Sequence, residues 1–226
     1  MPLVKIGGNG CKKGLKYMNK ELVIVFVKNI KLGKVKTRLA KTIGNQAAFE
    51  VYSELVKITE QATTKLKADK RIYFSDAIIE TKWNGFEKHV QEGKNLGIRM
   101  KNAFSKGFKD GYNRIVLIGS DLPDINETHI NNGLNALKEY NTVFGPSVDG
   151  GYYLIGLSKL YHNVFDNKPW SQPNLLEETL QELSAKAITF SILETLNDID
   201  TFEDLITSNF YKSNIELQEK IKQLND

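Results

Sequence analysis

Six uninterrupted apolar residues, Leu22-Val23-Ile24-Val25-Phe26-Val27, constrain the fold more than any other stretch of the chain. A run this short and this rich in Val, Ile and Phe fits a strand buried on both faces of a parallel sheet. A strand covered on both faces needs helices on both faces, so the chain should be α/β. The run then stops. Lys28, Lys31, Lys34, Lys36 and Arg38 crowd around Gly33 in the next eleven residues. Backbone N–H groups and cationic side chains in such a loop can hold phosphate at the end of a sheet. The competing reading is a solvated basic connection between strand and helix.

The charge distribution supports an anionic partner near this loop. Residues 1–41 hold eleven Lys or Arg and one acid, Glu21, whereas the remainder holds twenty basic and twenty-six acidic residues. That asymmetry suits a nucleotide phosphate, a nucleic acid or a membrane surface. Outside the buried run, Tyr17 is the only aromatic residue of the basic segment, which disfavours single-stranded nucleic acid. No lipid-binding amphipathic helix and no window of membrane-span length is visible. The single cysteine, Cys11, excludes an intramolecular disulfide and a multi-cysteine zinc site. The first twenty residues lack the apolar core of an export signal, so a cytoplasmic location is expected. They read as a flexible basic leader, with Met18 an alternative start, ahead of a single domain over residues 21–226.

Strand and helix patterns alternate along the rest of the chain. Asn45 suits an N-cap for a helix to about Lys67. Residues 71–75 read as a strand, 96–108 as a helix ended by Gly111, and 114–119 as a second buried strand. A helix over 127–140 follows, then strands at 142–145 and 152–157. Asn174 with Glu177 has capping-box spacing for a helix to about Ala185. Residues 187–192 form a late strand. Thr201 and Asp204 repeat the capping-box spacing, and 214–224 reads as a polar terminal helix. The alternation implies a mostly parallel sheet with right-handed crossovers.

In such a sheet, ligands sit beyond the C-terminal strand ends. Gly33 to Arg38, Asp121 and Asp149-Gly150-Gly151 all fall there, and Asp198 and Asp200 follow the late strand closely. Cationic residues with separated carboxylates match metal-assisted phosphate chemistry: Lys and Arg neutralise outer phosphates while aspartates hold Mg²⁺. Glycines at 150 and 151 would let backbone approach a ligand closely. Each acid has a structural rival. Asp121 and Asp149 could be turn residues, and Asp200 could N-cap the following helix. Asp198 and Asp124 read as structural or solvated, and His89, His129 and His162 as non-catalytic. Neither a Walker-type phosphate loop nor a G-x-G-x-x-G fingerprint is present, and Ser120 lacks a hydrolase elbow.

Five segments in order, FVKNIKLGKVKTRLA, NLGIRM, IGSDLPD, GPSVDGGYYLIGL and NDIDTFEDL, resemble the bacterial GT-A-like proteins of unassigned substrate usually labelled glycosyltransferases. These belong to the nucleotide-diphospho-sugar transferase superfamily and are similar to molybdenum-cofactor and phospholactate guanylyltransferases. The resemblance spans about Glu21 to Leu205. It implies one Rossmann-like GT-A domain with a mixed, largely parallel sheet and helices on both faces. It implies that Gly33, Lys36, Thr37 and Arg38 form the nucleotide-phosphate loop, and that Asp121 and Asp200 are metal ligands. Asp149, Gly150 and Gly151 belong to a segment shared in the family. Two features depart from relatives: Asp121 is followed by Leu-Pro instead of completing a D-x-D, and Asn29-Ile30 stands where proline is frequent. The second is expected to be of little consequence.

Three functions follow. The first is nucleotidyl transfer with Mg²⁺ or Mn²⁺, in which Lys36 and Arg38 hold the outer phosphates of a nucleoside triphosphate and a small-molecule acceptor attacks. The second is glycosyl transfer from a nucleotide-sugar, with Asp149 as base or sugar contact. The third is a nucleotide-binding module without turnover. The identities of base, sugar and acceptor, and the oligomeric state, are left open by the sequence.

Overall fold

A computed structural model describes residues 20–225. Apart from Lys20, the expected leader lies outside the described residues, as does Met18. Seven strands form one sheet: β1 Glu21–Val27, β2 Asp69–Phe74, β3 Glu87–Val90, β4 Arg114–Ile118, β5 Thr142–Pro146, β6 Tyr152–Leu157 and β7 Phe190–Ile192. Their order is β3-β2-β1-β4-β6-β5-β7. β6 runs antiparallel to both neighbours, β4 and β5, and every other pairing is parallel. β1 pairs with β2 on one side and β4 on the other, so the chain reverses its direction of travel across the sheet between them. Such a switch point opens a crevice at the C-terminal strand ends.

The helices are α1 Thr37–Thr64, α2 Leu96–Lys109, α3 Glu127–Ala136, α4 Leu175–Ala185, α5 Phe202–Thr207, α6 Asn209–Lys212 and α7 Ile215–Asn225. The pleat explains why the first strand is apolar throughout. Val23, Val25 and Val27 join a core with Tyr52 and Val56 of α1 and Ile130 and Leu134 of α3. Leu22, Ile24 and Phe26 point the other way, into a core with Met100 and Phe104 of α2 and Leu183 of α4. β4 divides likewise, with Val116 and Ile118 on one face and Ile115 and Leu117 on the other.

Several boundaries differ from expectation. α1 starts at Thr37, ahead of Asn45. Gly44 (φ 78, ψ 160) interrupts it, and the turns before that break are held by buried Leu39 and Ile43. The stretch after Trp83 contains β3, an edge strand too short and charged to show a period. α3 ends before Tyr140, and β7 is only three residues. Asn174 does not cap α4 with its side chain; its amide donates to Glu178 at 2.5 Å. The terminal helix is not simply polar. Leu217 and Ile221 of α7 are buried with Val51 and Leu55, on the side of α1 away from the sheet. Spaced i, i+4, they share one helix face, and burying each contributes ~1.5–3 kcal/mol. This packing also carries Ile199 and Leu205, which anchors the segment that bears Asp198 and Asp200.

Candidate active site

The loop after β1 turns into α1 through two left-handed residues, Gly33 (φ 72) and Lys36 (φ 45). Lys36 occupies the N-cap position of α1 but makes no side-chain cap. Its stem is buried instead, and its ammonium crosses the crevice. Nζ donates to Asp121 Oδ2 at 3.1 Å and to Asp200 Oδ1 at 2.9 Å, with the lysine side chain only 3% exposed. Arg38, one helical position past Thr37, donates from Nη2 to the other Asp200 oxygen at 2.5 Å. Arg38 and Thr37 are exposed, and Thr37 is the first residue of α1.

Asp121 follows β4 directly. A buried chain of hydroxyls fixes that strand end to the end of β1. The Lys28 N–H donates to the Tyr52 hydroxyl at 3.0 Å, and Tyr52 shares a hydrogen bond with Ser120 at 2.8 Å. Burial pushes the Tyr52 phenol up to about 12, so it stays neutral. The Asp121 carbonyl accepts from the Ile199 N–H at 3.3 Å, drawing the late segment onto β4. Ile199 is buried, and Asp198 and Asp200 flank it. Asp204 accepts from the N–H groups of Asp200 and Thr201 and completes the capping box of α5. The cap is therefore Thr201, and the Asp200 carboxylate is left to Lys36 and Arg38.

Asp121, Asp198 and Asp200 each present a carboxylate oxygen, all within 4.8 Å of one another. Asp198, read from sequence as structural, is part of the cluster. The signal that could have found it is its spacing: acids at i and i+2 around one buried residue face the same way in extended backbone. Burial, then Asp121 and Asp200, push the Asp198 carboxyl up to about 6. Burial also opposes the charges of Lys36 and Asp200, but their ion pair outweighs it. Lys36 is held above its ordinary value by both carboxylates, and Asp200 below its ordinary value by Lys36 and Arg38. Three clustered carboxylates with one buried ammonium keep an excess of negative charge. An all-oxygen donor set with such an excess fits a hard divalent cation.

These carboxylates form one end of a cleft of about 320 Å³. Its other walls include Phe26, Leu96 and Met100, with Tyr152 and Trp170. Asp149 and Gly151 line it, and Gly150 does not. Asp149 is an Asx-turn residue whose Oδ1 accepts from the Ser147 hydroxyl and from the Gly151 N–H, the latter at 3.0 Å. Gly150 does not open backbone to a ligand. At φ +87 its missing Cβ would stand 1.9 Å from the Pro173 carbonyl oxygen, so the glycine seats the 170–173 strap instead. Trp170, which sequence reasoning missed, lies across Gly97 so closely that a Cβ there would come within 2.5 Å of the indole. None of the three histidines lines the cleft.

Asn29 is also not inconsequential. Buried at the end of β1, its Oδ1 accepts from the Asp76 N–H at 2.8 Å and its Nδ2 donates to the Ala77 carbonyl at 2.7 Å. It clamps the loop after β1 to the loop after β2.

A mixed sheet with one reversed strand, a cationic loop running into a helix and carboxylates at the switch point define a GT-A-like transferase of the nucleotide-diphospho-sugar superfamily. The chain belongs to the bacterial family described as "Uncharacterized protein conserved in bacteria (DUF2064)", whose model matches residues 55–172. It is 33% identical to a candidate nucleotide-diphospho-sugar transferase from Desulfovibrio desulfuricans G20, over 92% of this chain and 99% of that one, with a TM-score of 0.82. Two more distant structures share the fold. The inositol-1-phosphate CTP transferase of T. maritima is 18% identical over 91% of this chain and 97% of its own, TM-score 0.53. The 4-diphosphocytidyl-2C-methyl-D-erythritol synthase of Anaerococcus prevotii DSM 20548 is 12% identical over 86% and 97%, TM-score 0.56. No curated protein matches the chain. Among the described residues no helix is long and apolar enough to cross a membrane.

Proposed function

We propose that the chain is a Mg²⁺- or Mn²⁺-dependent nucleotidyltransferase that joins a nucleoside monophosphate to a small-molecule acceptor and releases pyrophosphate. The observation that carries this reading is the carboxylate cluster, Asp121, Asp198 and Asp200, of which Asp121 and Asp200 are ion-paired to Lys36 and Arg38 where the loop enters α1. The three aspartates would hold the divalent ion, which when bound neutralises phosphate oxygens and favours departure of the diphosphate leaving group. An ammonium has three N–H donors, and two of those on Lys36 are used on Asp121 and Asp200. The third, and the N–H groups of the exposed Arg38 guanidinium that are not on Asp200, can take β- and γ-phosphate oxygens of a triphosphate. The N–H groups of Thr37 and Arg38 at the start of α1 add a phosphate-binding terminus. An acceptor oxygen attacks the α-phosphorus as the bond to the bridging oxygen of pyrophosphate breaks, and the chain contributes position and charge. The buried Tyr52–Ser120 link keeps the β1 and β4 ends in register during this exchange.

The test is pyrophosphate release from each of ATP, CTP, GTP and UTP with Mg²⁺ and a panel of sugar phosphates and polyols. Release that depends on one nucleotide and is abolished in Asp121→Asn and Asp200→Asn is expected. A second reading, glycosyl transfer, is favoured by the description of the Desulfovibrio desulfuricans relative. Consumption of a nucleotide-sugar to a nucleoside diphosphate, without pyrophosphate from any triphosphate, would replace the first reading with the second.

A further inference from the structure

We infer a second small-molecule site on the α1 side of the sheet, one that takes a compact organic anion with a flat or branched apolar body. A cavity of about 280 Å³ lies where the ends of β1 and β2 meet α1 and the 79–83 segment. It shares no lining residue with the carboxylate cleft. Its accessible apolar lining is Ile30, Phe49 and Ile79, over a floor of buried Val27, Val56, Phe74 and Trp83. Three lysines also line it, Lys28, Lys57 and Lys82, against a single acid, Glu60. Lys57 pairs with Glu54 at 2.6 Å and Lys28 lies within electrostatic reach of Asp200, whereas Lys82 makes no side-chain hydrogen bond or ion pair among the described residues. Three ammonium groups against one lining acid leave net positive charge beside an aromatic and aliphatic hollow, with Lys57 and Lys82 on the side away from Asp200, which complements an anion with an apolar body and not a neutral or cationic ligand.

Two further observations distinguish this cavity from a packing gap. Its volume, about 280 Å³, is close to the ~300 Å³ at which small-molecule pockets begin; that suits one ring and one anionic group. Trp83, 1% exposed, has a left-handed backbone (φ 55), a conformation bulky residues rarely adopt. The turn commits that conformation to presenting the indole inward, where it meets Phe86 edge-on at 5.9 Å. An occupant would also bear on the catalytic loop. Lys28 lines the cavity, and its backbone N–H is the first link in the Tyr52–Ser120 chain that ends beside Asp121. That last consequence rests on the proposed function; the site itself does not.

Trp83 lies in the cavity floor and senses a charged occupant above it, and since the chain has two tryptophans, Trp170→Phe isolates its emission. Titration of that variant with phenyl phosphate is expected to change Trp83 emission saturably. Benzyl alcohol, its uncharged counterpart, should bind at least tenfold more weakly. The double variant Lys57→Met/Lys82→Met should weaken phenyl phosphate binding about tenfold or more. Saturation-transfer NMR on the unsubstituted chain repeats the measurement without relying on Trp170→Phe. No saturable binding, equal binding of benzyl alcohol, or an unchanged affinity in the lysine variant overturns the site. So does competitive displacement by any Mg²⁺–nucleoside triphosphate, which would make the cavity part of the nucleotide site. If triphosphates bind nowhere while phenyl phosphate still binds here, the proposed function fails and this site stands.

Discussion

Lys36→Met separates the role of Lys36 as an internal counter-ion from any role on phosphate. The substitution keeps an unbranched apolar stem and removes the ammonium that sits 3.1 Å from Asp121 and 2.9 Å from Asp200. Breaking a buried ion pair on one side costs ~3–5 kcal/mol, because the remaining charge is left uncompensated. Here the lysine is 3% exposed but the carboxylates are 32% and 33% exposed, so water can partly solvate what remains. The expected loss is therefore at the low end, ~3 kcal/mol. At ~2–4 °C per kcal/mol for a chain of this size, the midpoint should fall by about 6–12 °C. A divalent cation should restore most of it, since it brings positive charge to the same carboxylates. At a hundred times its dissociation constant, a ligand stabilises the folded state by ~2.7 kcal/mol. The assay is thermal and urea denaturation of wild type, Lys36→Met and Lys36→Met/Asp121→Asn in EDTA and in Mn²⁺, because Asp200 keeps Arg38 as a partner and Asp121 loses its cation. The single variant should be much weaker than wild type in EDTA and nearly equal in Mn²⁺. The double variant should regain stability in EDTA by shedding the uncompensated charge. A Lys36→Met protein as stable as wild type in EDTA would refute the reasoning. So would Mn²⁺ stabilising the variant no more than the wild type.

Asp198 gives the site a pH dependence. Its folded-state carboxyl is raised to about 6 from 3.8, so the folded chain takes up a proton before the unfolded chain does. Its contribution to metal-free stability is fully present below pH 4 and is lost as pH rises through 6. Metal binding needs the carboxylate, so Mn²⁺ affinity should fall about tenfold per pH unit below 6 and level off above it. Calorimetry from pH 5 to 8 checks this, and Asp198→Asn should flatten the profile. Asn29→Ala removes a buried side chain that accepts from the Asp76 N–H and donates to the Ala77 carbonyl, and the loss of both bonds should cost ~1–3 kcal/mol in urea denaturation. Gly150→Ala forces a Cβ to within 1.9 Å of the Pro173 carbonyl at φ +87. A lower melting temperature and loss of pyrophosphate release are expected, whereas Gly85→Ala, with open space around it, should carry only the strain of its positive φ.

What was legible in the sequence depended on whether the signal was local. β1 and β4 declare themselves because a strand buried on both faces is apolar at every position, and Leu22–Val27 and Ile115–Ile118 are. β3 is an edge strand with one neighbour and a charged sequence, Glu87-Lys88-His89-Val90, so nothing periodic marks it. The first turns of α1 were hidden by Gly44, which reads as a boundary but is a break within a longer helix. Asn29 carries no local signal at all, since its partners lie on the loop after another strand.

The carboxylate cluster shows the same division. Asp121 sits at the end of a strand that any reading would bury, so its place at the crevice follows from the fold. Asp198 and Asp200 arrive through a segment without regular secondary structure, and their position is set from two directions. Ile199 is anchored in the apolar layer between α1 and α7, while its N–H is held by the Asp121 carbonyl. The terminal helix thus bears on the chemistry. Leu217 and Ile221 pack in the layer that holds Ile199, and Ile199 fixes the acids on either side of it. The missing D-x-D after β4 is matched by an acid–apolar–acid triplet after β7, Asp198-Ile199-Asp200. The third carboxylate comes from the end of the central strand β4, and Lys36 bridges one acid from each source. A cluster assembled this way depends on the α1–α7 packing as much as on its own residues. A polar substitution at Ile199 should therefore lower metal affinity as well as stability, although Ile199 itself presents no ligand.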